Sequence, residues 1–181
     1  MSTIQEKDER HWFVMRDLKR SNAKLPAYKM LAEAGLEVFT PMKWRLSVRN
    51  GRKLRESIPF IQDLLFVHDS RDHLDRFVNA TPTLQYRFLR NAFCRPMTVR
   101  DEDMNRFITA VRSAEDVRYY MLEEITPEMR GRSVRIIDGP LAGYEGRLLS
   151  VRGSRVRRLL VELPDLLTAG IEVSPEFIQL L

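Results

Sequence analysis

The segment from Gly131 to Leu148 restricts the fold of this chain more than any other, because it specifies a strand, a tight turn and a second strand. Before the turn, Val134 and Ile136 alternate with polar residues, which is the period of a half-buried strand. The sequence Asp138-Gly139-Pro140 then ends that strand. Aspartate bonds to the backbone ahead of it, glycine allows a positive φ, and proline supplies no donor. A chain with this segment forms an antiparallel pair of short strands.

Two glycines, Gly143 and Gly146, bracket Tyr144, so the chain can bend sharply around one aromatic side chain. Leu148 and Val151 resume the apolar strand pattern. This order of residues closely resembles the KOW motif, which occurs in the small SH3-like barrels of transcription elongation factors and of some ribosomal proteins. The alternative is an ordinary Asp-Gly hairpin in an unrelated small barrel.

Composition describes a globular protein rather than a disordered one. The chain has 181 residues, 44% hydrophobic and 30% charged, which suffices for one large domain or two small ones. A formal charge of +5 is compatible with binding to nucleic acid or to an acidic protein surface. The single cysteine, Cys94, excludes an intramolecular disulfide and a cysteine-based zinc site, and such a count is typical of the cytoplasm. Residues 1–10 lack an apolar core and no apolar run reaches membrane-spanning length, so we expect no signal peptide and no membrane partner.

Hydrophobic periodicity predicts an α/β domain before the barrel. Asn50-Gly51 lies between two strand-like runs and is the strongest short-range signal for a hairpin. Thr98 is predicted as the N-cap of the last helix, with Asp101 three positions on. The other predicted elements are strands at 11–16, 36–41, 64–68 and 84–89 and helices at 22–34 and 72–79.

Three segments follow from this pattern. We predict an N-terminal α/β sandwich over residues 10–112, a linker over 113–125 and a barrel over 126–181. The linker is acidic, but Tyr119–Leu122 is apolar and is either a set of linker anchors or an added strand. Five short strands in the last segment suit a small barrel. The fold class is therefore α+β, a sandwich with an antiparallel sheet and flanking helices followed by an SH3-like barrel.

Over residues 10–181, the order β-α-β-hairpin-β-α-β-α followed by a small barrel resembles the NusG family of transcription elongation factors. Each piece is weak alone, and the order and spacing carry the resemblance. The pieces are His11-Trp12-Phe13-Val14, Gly35 to Pro41, the basic hairpin Asn50-Gly51-Arg52-Lys53, Ile58-Pro59-Phe60, Leu65-Phe66-Val67, Asn79-Ala80-Thr81 and the KOW segment.

One departure from the family pattern bears on the subgroup. NusG-type proteins usually carry a Phe-Pro-Gly-Tyr-like turn before the central strand, whereas this chain reads Ile61-Gln62-Asp63-Leu64. The change favours a specialised paralogue, similar to the operon-specific antiterminators of the RfaH type or the UpxY-type regulators of polysaccharide loci. Housekeeping NusG, coupling to Rho or to the ribosome, and a ribosome- or RNA-binding KOW protein are the alternatives.

The resemblance implies where RNA polymerase binds. In the family, an apolar face of the first domain docks on the clamp helices of the polymerase, and a short helix touches the opposite side of the cleft. Alternation places Leu64 and Phe66 on one face of their strand and Leu65 and Val67 on the other. One of these two faces packs on the helices, and the other meets either the barrel or the polymerase. The clamp-binding residues are then Trp12, Phe39, Ile61, Leu64 and Phe66, and the second contact is Leu74, Asp75 and Arg76. Core packing, or an exposed helix face for Asp75 and Arg76, is the alternative.

The resemblance also assigns other partners. Lys19, Arg20 and Lys24 are directed at the non-template DNA strand of the transcription bubble, through phosphates rather than bases because the turn has no aromatic residue. A solvated charge cluster is the alternative. The barrel would recruit a ribosomal protein or Rho through Leu141, Ala142, Gly143 and Tyr144.

No catalytic constellation is present in the sequence. His11, His68 and His73 lack ligand-like spacing, no serine has a paired base, and no glycine-rich phosphate loop occurs. We therefore expect no enzymatic activity, no metal and no cofactor, and a monomeric cytoplasmic protein.

Overall fold

The structure, a computed structural model, describes residues 9–90 and 92–181. The chain divides into two compact units, Met1–Asp101 and Glu102–Leu181. The expectation of no signal peptide concerned residues 1–10. Residues 1–8 of this segment lie outside the described residues. Within the described part, no helix combines the length and the apolar character needed to cross a membrane.

The first unit is built on an antiparallel sheet with strand order β2-β5-β1-β6, and β7 pairs with the other part of β1. The central pair runs from Arg10 opposite Ser70 to Arg16 opposite Leu64. The strands of this sheet are β1 (Arg10–Asp17), β2 (Glu37–Phe39), β5 (Leu64–Ser70), β6 (Leu84–Tyr86) and β7 (Thr98–Val99). The predicted mixed fold with an antiparallel sheet is confirmed.

Helices α1 (Ala27–Glu33) and α2 (Arg71–Ala80) supply the core on one side of this sheet. Leu31 and Leu74 from these helices are fully buried in one cluster with alternate residues of the central strands, among them Met15. The predicted alternation is thus confirmed for the helix-packed face, whose strand residues are Phe13, Met15, Leu65 and Val67.

Both helices begin and end on local signals. Ser70 accepts a hydrogen bond from the His73 amide at 3.4 Å and caps α2. Helix α1 ends before Gly35, which has a φ of +87° that glycine adopts without steric cost.

The hairpin of β3 (Met42–Arg49) and β4 (Arg52–Pro59) forms its own two-stranded sheet. Asn50 and Gly51 both have positive φ, 52° and 72°, as a two-residue hairpin turn of the favoured hand requires. The predicted hairpin is confirmed.

The start of the last helix was predicted incorrectly. Thr98 is not an N-cap but lies in β7, where it pairs with Phe13. Helix α3 begins at Asp101 and continues to Arg112. The backbone at Thr98 pairs with β1, so strand pairing prevails over the local capping signal.

The second unit carries a six-stranded antiparallel sheet in the order β13-β9-β10-β11-β12-β8. Its buried residues include Val134, Ile136, Leu159 and Leu167. The strands are β8 (Val117–Met121), β9 (Arg130–Ile136), β10 (Glu145–Leu149), β11 (Arg158–Leu163), β12 (Leu167–Glu172) and β13 (Ile178–Leu180). Short 3₁₀ turns at Leu122–Glu124, Pro127–Met129 and Pro175–Phe177 complete the unit.

The predicted linker contains a strand of the second unit. Strand β8 pairs with β12 from Val117 opposite Ile171 to Met121 opposite Leu167. Of the two alternatives for the apolar run, an added strand is the one that forms, because Tyr119 is buried when β8 joins the sheet. The division between the compact units also falls at residues 101 and 102, earlier than the predicted linker.

Candidate functional site

Four of the five clamp-binding residues that the resemblance implies, Trp12, Phe39, Leu64 and Phe66, lie on the face of the first sheet opposite α1 and α2. Strand register places Phe39 beside Phe66, and Phe66 beside Val14 of β1. The Phe39 and Phe66 ring centroids are 6.2 Å apart, and the Trp12 ring stacks on His68 at 5.1 Å. These four residues therefore share one apolar face of the sheet.

These side chains are buried rather than exposed. Trp12 and Leu64 are each 2% exposed, Phe66 is fully buried and Phe39 is 8% exposed. Ile61, in the four-residue loop between β4 and β5, is half-buried. Ile61 is thus the member of the set with surface available to a partner, and docking on the other four requires that they first become accessible.

The three residues of the second predicted contact, on α2, differ in their accessibility. Leu74 is fully buried among the helix-packed residues and offers a partner no surface. Asp75 accepts a hydrogen bond from the Tyr86 hydroxyl at 2.8 Å and lies 3.9 Å from Arg71. Arg76 is exposed, so it is the residue of the three that can reach another molecule.

Tyr86 is held in its neutral form at this position. Burial raises the pKa of Tyr86 above its ordinary value, and the hydrogen bond to the Asp75 carboxylate raises it further. The Asp75 carboxylate therefore organises the sheet edge beneath α2, which is a structural role.

The predicted DNA-binding residues lie on a loop that a buried carboxylate holds in place. Asp17, 7% exposed, accepts hydrogen bonds from the Ala27 amide at 2.6 Å and from the Lys19 amide at 3.0 Å. The Lys19 ammonium donates to the Leu25 carbonyl at 2.9 Å. Arg20 and Lys24 are exposed. The loop thus presents two accessible cations on a fixed backbone, while Lys19 also supports the loop.

The β3–β4 hairpin carries an exposed apolar row that the sequence analysis missed. Trp44, Leu46 and Val48, here called the hairpin stripe, are 57%, 75% and 71% exposed. They lie on one face of the hairpin because alternate residues of a strand share a face. Their directly opposite partners on β4 are Ser57, Arg55 and Lys53. The Arg55 guanidinium lies 4.4 Å from the Trp44 ring centroid.

The period-2 pattern of β3 could have revealed this stripe. Apolar residues occupy every second position of β3, as in a strand that covers a core. In the structure β3 pairs with β4 alone, so this face remains exposed. Exposed apolar rows flanked by cations are typical of binding surfaces.

In the second unit, the loop between β9 and β10 fixes the predicted partner-binding residues. Leu141 is 4% exposed, whereas Ala142 and Gly143 are exposed. The Gly143 amide donates to the Ile136 carbonyl at 2.7 Å. Its φ is +85°, a backbone conformation that glycine adopts readily because it has no Cβ. The Tyr144 hydroxyl donates to the Arg106 carbonyl at 3.0 Å, and the Arg106 guanidinium lies 5.2 Å from the Tyr144 ring centroid. The accessible part of this loop is therefore Ala142 and Gly143, with the half-buried Tyr144 beside them.

Beside this loop is a cavity of about 380 Å³ with an acidic rim. Its apolar lining includes Leu141 and Phe177, and its rim includes Asp116, Asp138 and Glu172. The Arg158 guanidinium, buried behind the rim, lies 3.2 Å from the Asp116 carboxylate and 3.7 Å from that of Glu172. The Arg158 guanidinium thus partly neutralises two of the rim carboxylates, those of Asp116 and Glu172.

The described residues contain no cluster of histidine, cysteine, aspartate or glutamate able to hold a metal ion. His68 lies 3.1 Å from the Glu37 carboxylate, and His73 lies 2.5 Å from that of Asp69. These histidines therefore take part in separate side-chain pairs.

Comparison with known proteins gives one family. A profile of the transcription termination factor NusG matches residues 10–108, which is more than half of the chain. A solved structure of Thermotoga maritima NusG, described for its domain interaction, is 15% identical, covers 94% of this chain and 97% of that chain, and has a TM-score of 0.47. No curated protein matches the chain. The matched segment contains the sheet, the two flanking helices and the hairpin, and the chain belongs to the NusG family of transcription factors, whose members bind RNA polymerase.

Proposed function

We propose that this chain binds RNA polymerase across the DNA cleft during elongation and suppresses pausing and termination at specific operons, such as polysaccharide biosynthesis loci. The observation that carries the proposal is the family match over residues 10–108, the segment with the apolar face, the loop cations and the hairpin. The replaced turn at Ile61-Gln62-Asp63-Leu64 supports a specialised role rather than a housekeeping one. The protein would act as a monomer in the cytoplasm, without enzymatic activity or cofactor.

The polymerase contacts are assigned to accessible residues first. Ile61 offers half-buried apolar surface beside Leu64, and Arg76 offers a cation on α2. The hairpin stripe adds an apolar row at a distinct place in the unit. Trp12, Phe39, Leu64 and Phe66 form the centre of the clamp-binding face once they become accessible. Aromatic anchors in such a centre supply most of the binding free energy of an interface.

Suppression of pausing follows from binding to one of two polymerase states. A ligand shifts an equilibrium only by the difference between its affinities for the two states. A protein that contacts both sides of the cleft binds the closed, elongating form more tightly than the open, paused form. Arg20 and Lys24 would contribute through the phosphates of the non-template strand, since both are exposed on a loop fixed by Asp17.

The second unit is the recruiting part of this proposal. Its loop surface for a ribosomal protein or for Rho consists of the exposed Ala142 and Gly143 and the half-buried Tyr144. A factor that binds polymerase through one unit and a second protein through the other couples the two by effective concentration.

The experiment is a pull-down of tagged full-length chain with purified core polymerase, followed by a transcription assay on a template with a strong pause and a Rho-dependent terminator. We expect capture of polymerase that survives nuclease treatment, shorter pauses and increased read-through. Nuclease-sensitive capture of ribosomes without polymerase would reject the proposal in favour of a ribosome- or RNA-binding protein. Increased Rho-dependent termination would reject antitermination in favour of a housekeeping factor.

A further inference from the structure

The loop between β4 and β5, residues 60–63, is fixed at both ends by backbone hydrogen bonds. The Phe60 amide donates to the Pro41 carbonyl at 2.8 Å, and the Leu64 amide donates to the Ile61 carbonyl at 3.2 Å. This loop contains Ile61, the half-buried member of the clamp-binding residues, and it is where the sequence departs from the family pattern. The position of Ile61 therefore depends on bonds within the loop and to its near neighbours.

The next two residues of this loop, Gln62 and Asp63, join it to the end of β1 by three contacts, here called the brace. The Asp17 amide donates to the Asp63 carbonyl at 3.0 Å, which extends the pairing of β1 with β5 into the loop. The Arg16 guanidinium donates through Nε to the Asp63 carboxylate at 2.9 Å. The Gln62 side-chain amide donates to the Lys19 carbonyl at 3.4 Å. The two side chains thus reach partners 47 and 43 residues earlier in the chain.

The brace holds the backbone of Lys19 from the side opposite to Asp17. The Lys19 amide donates to the Asp17 carboxylate at 3.0 Å, and the Lys19 carbonyl accepts from Gln62. That carbonyl belongs to the same planar peptide group as the Arg20 amide, so Gln62 fixes the plane from which Arg20 projects. The Arg20 carbonyl accepts a hydrogen bond from the Ala23 amide at 3.0 Å, which closes a turn of the same loop.

We propose that Gln62 and Asp63 are positioning residues that hold the backbone carrying Arg20 and Lys24 in a fixed arrangement relative to Ile61. This inference rests on the proposed function, in which Ile61 contacts the polymerase and the two cations contact the non-template strand. Two contacts on one braced unit form together because less conformational freedom is lost on binding. Without the brace, the fraction of molecules in the binding-competent arrangement falls, and the apparent affinity falls with it.

The brace acts locally because its side chains lie near the surface. Arg16 and Gln62 are exposed, and Asp63 is half-buried. Ion pairs at such positions contribute little to the global free energy of unfolding. The order of a surface loop, by contrast, depends on a few contacts of this kind, because loops open with a smaller free energy than the core. Loss of the brace should therefore increase the motion of the loop after β1 without lowering the melting temperature.

The first measurement uses the free full-length chain. Amide hydrogen exchange, read by NMR, compares wild type with Q62M/D63A, which removes the side-chain donor and the carboxylate of the brace. E56A is the matched control, because the Glu56 carboxylate also pairs with an arginine, at 3.1 Å on the hairpin, and its removal changes the charge equally. We expect exchange at Lys19 and Ala23 to become about tenfold faster in Q62M/D63A and to stay unchanged in E56A, at equal melting temperatures.

The second measurement compares binding to DNA-free core polymerase with binding to a transcription complex that carries an exposed non-template strand. Q62M/D63A should bind the transcription complex about tenfold more weakly than wild type and should bind DNA-free polymerase nearly as well. In a double-mutant cycle, R20A/K24A should cost less affinity in the Q62M/D63A background than in wild type, because the cations are coupled to the brace. Residues that only stabilised the fold would weaken binding to both forms of the polymerase alike.

Unchanged exchange at Lys19 and Ala23 in Q62M/D63A would overturn the inference. Equal weakening toward the two forms of the polymerase, or additive costs in the double-mutant cycle, would overturn it as well. A wild-type chain that captures no polymerase would reject the proposed function alone, and faster exchange in the free variant would then still support the brace.

Discussion

The Asp17 carboxylate lies buried at the end of β1 and determines the shape of the loop that follows. It accepts two backbone amides, from Lys19 and Ala27, and the second of these is the first residue of α1. Pro26 precedes the helix and has no side-chain donor or acceptor to cap it, so Asp17 takes that role from a distance in sequence. The exposed cations of the loop are therefore positioned by one residue of the sheet.

Replacing Asp17 with alanine should lower the free energy of unfolding by roughly 1–3 kcal/mol, because the buried Ala27 amide and the partly buried Lys19 amide lose their acceptor. Chemical denaturation followed by circular dichroism measures this. Glu33→Ala is the control, since Glu33 is exposed on the same helix and should change stability little. Equal effects of the two substitutions would show that the Asp17 hydrogen bonds do not stabilise the loop.

Substitutions at Ile61 and Leu64 should distinguish an effect on polymerase binding from an effect on stability. Leu64→Ala should cost about 2–5 kcal/mol of stability, because a fully packed side chain leaves a cavity. Ile61→Ala should leave the melting temperature nearly unchanged and reduce capture of core polymerase, since Ile61 is half-buried at the margin of the apolar face. Unchanged polymerase capture by Ile61→Ala, with the fold intact, would remove this residue from the interface.

Tyr86 gives a stability effect at high pH. Its folded-state pKa is raised from the ordinary value of 10.0, so the neutral phenol is favoured in the folded protein. The contribution is complete below pH 10 and is lost as the pH rises above it, by at most about 1.4 kcal/mol per pH unit. Denaturant unfolding of wild type and Tyr86→Phe between pH 8 and 11 should show a steeper decline for wild type. Parallel declines would mean that Tyr86 ionises in the folded state as readily as in the unfolded chain.

At the scale of elements, the β3–β4 hairpin is the clearest candidate for a binding surface. Strand pairing satisfies its inner backbone groups, and the Asn50-Gly51 turn fixes its register. The hairpin stripe has nothing from its own sheet to cover it, because that sheet has only these two strands. Apolar side chains that are more than half exposed contribute little to stability and are available for association.

The double variant Leu46→Ser/Val48→Ser should therefore keep its stability within about 0.5 kcal/mol of wild type. The variant should also capture less polymerase or suppress pausing less, because the hairpin stripe loses apolar surface. A melting curve beside a pull-down makes the comparison. A large drop in melting temperature would show that the stripe is buried in solution, and full activity at full stability would assign it no role.

At the scale of the whole molecule, the division after Asp101 assigns α3 to the second unit. Phe107 lies 6.4 Å from Tyr119 of β8 between ring centroids, and Arg106 contacts Tyr144. The helix is therefore connected to the sheet at two places within its own unit, whereas the sequence pattern had grouped it with the first domain.

A fragment of residues 102–181 should accordingly fold better than one of residues 113–181. The shorter fragment lacks Phe107 and leaves part of the Tyr119 ring uncovered, a change that lowers stability by the apolar area exposed. Two-dimensional amide NMR spectra and thermal melting of both fragments provide the test. Equal stability would return α3 to the first domain, as the sequence pattern predicts.

Local chemistry determined much of this protein. Asn50-Gly51, Asp138-Gly139-Pro140 and the alternation in β5 act over a few residues, so the hairpin, the β9–β10 turn and the two faces of the central strand could be predicted from the sequence. The order of helices and strands along the chain could be predicted for the same reason, because each element has its own local signal. Period-2 alternation also predicted that Leu64 and Phe66 share one face of β5, whereas Trp12, Phe39 and Ile61 were added to this set by the family resemblance.

Only the tertiary structure decided which of these side chains a partner can reach. Trp44 and Trp12 both lie in apolar strand patterns, yet one is 57% exposed and the other 2%. The difference depends on what covers each strand, and that is set by residues far away in sequence. For the same reason Thr98 lies in a strand rather than at a helix N-cap, because backbone pairing with the distant strand β1 outweighs a local capping signal worth about 1 kcal/mol. Tertiary pairing also decided between the two alternatives for Tyr119, which lies opposite Ala169 of β12 in the second sheet.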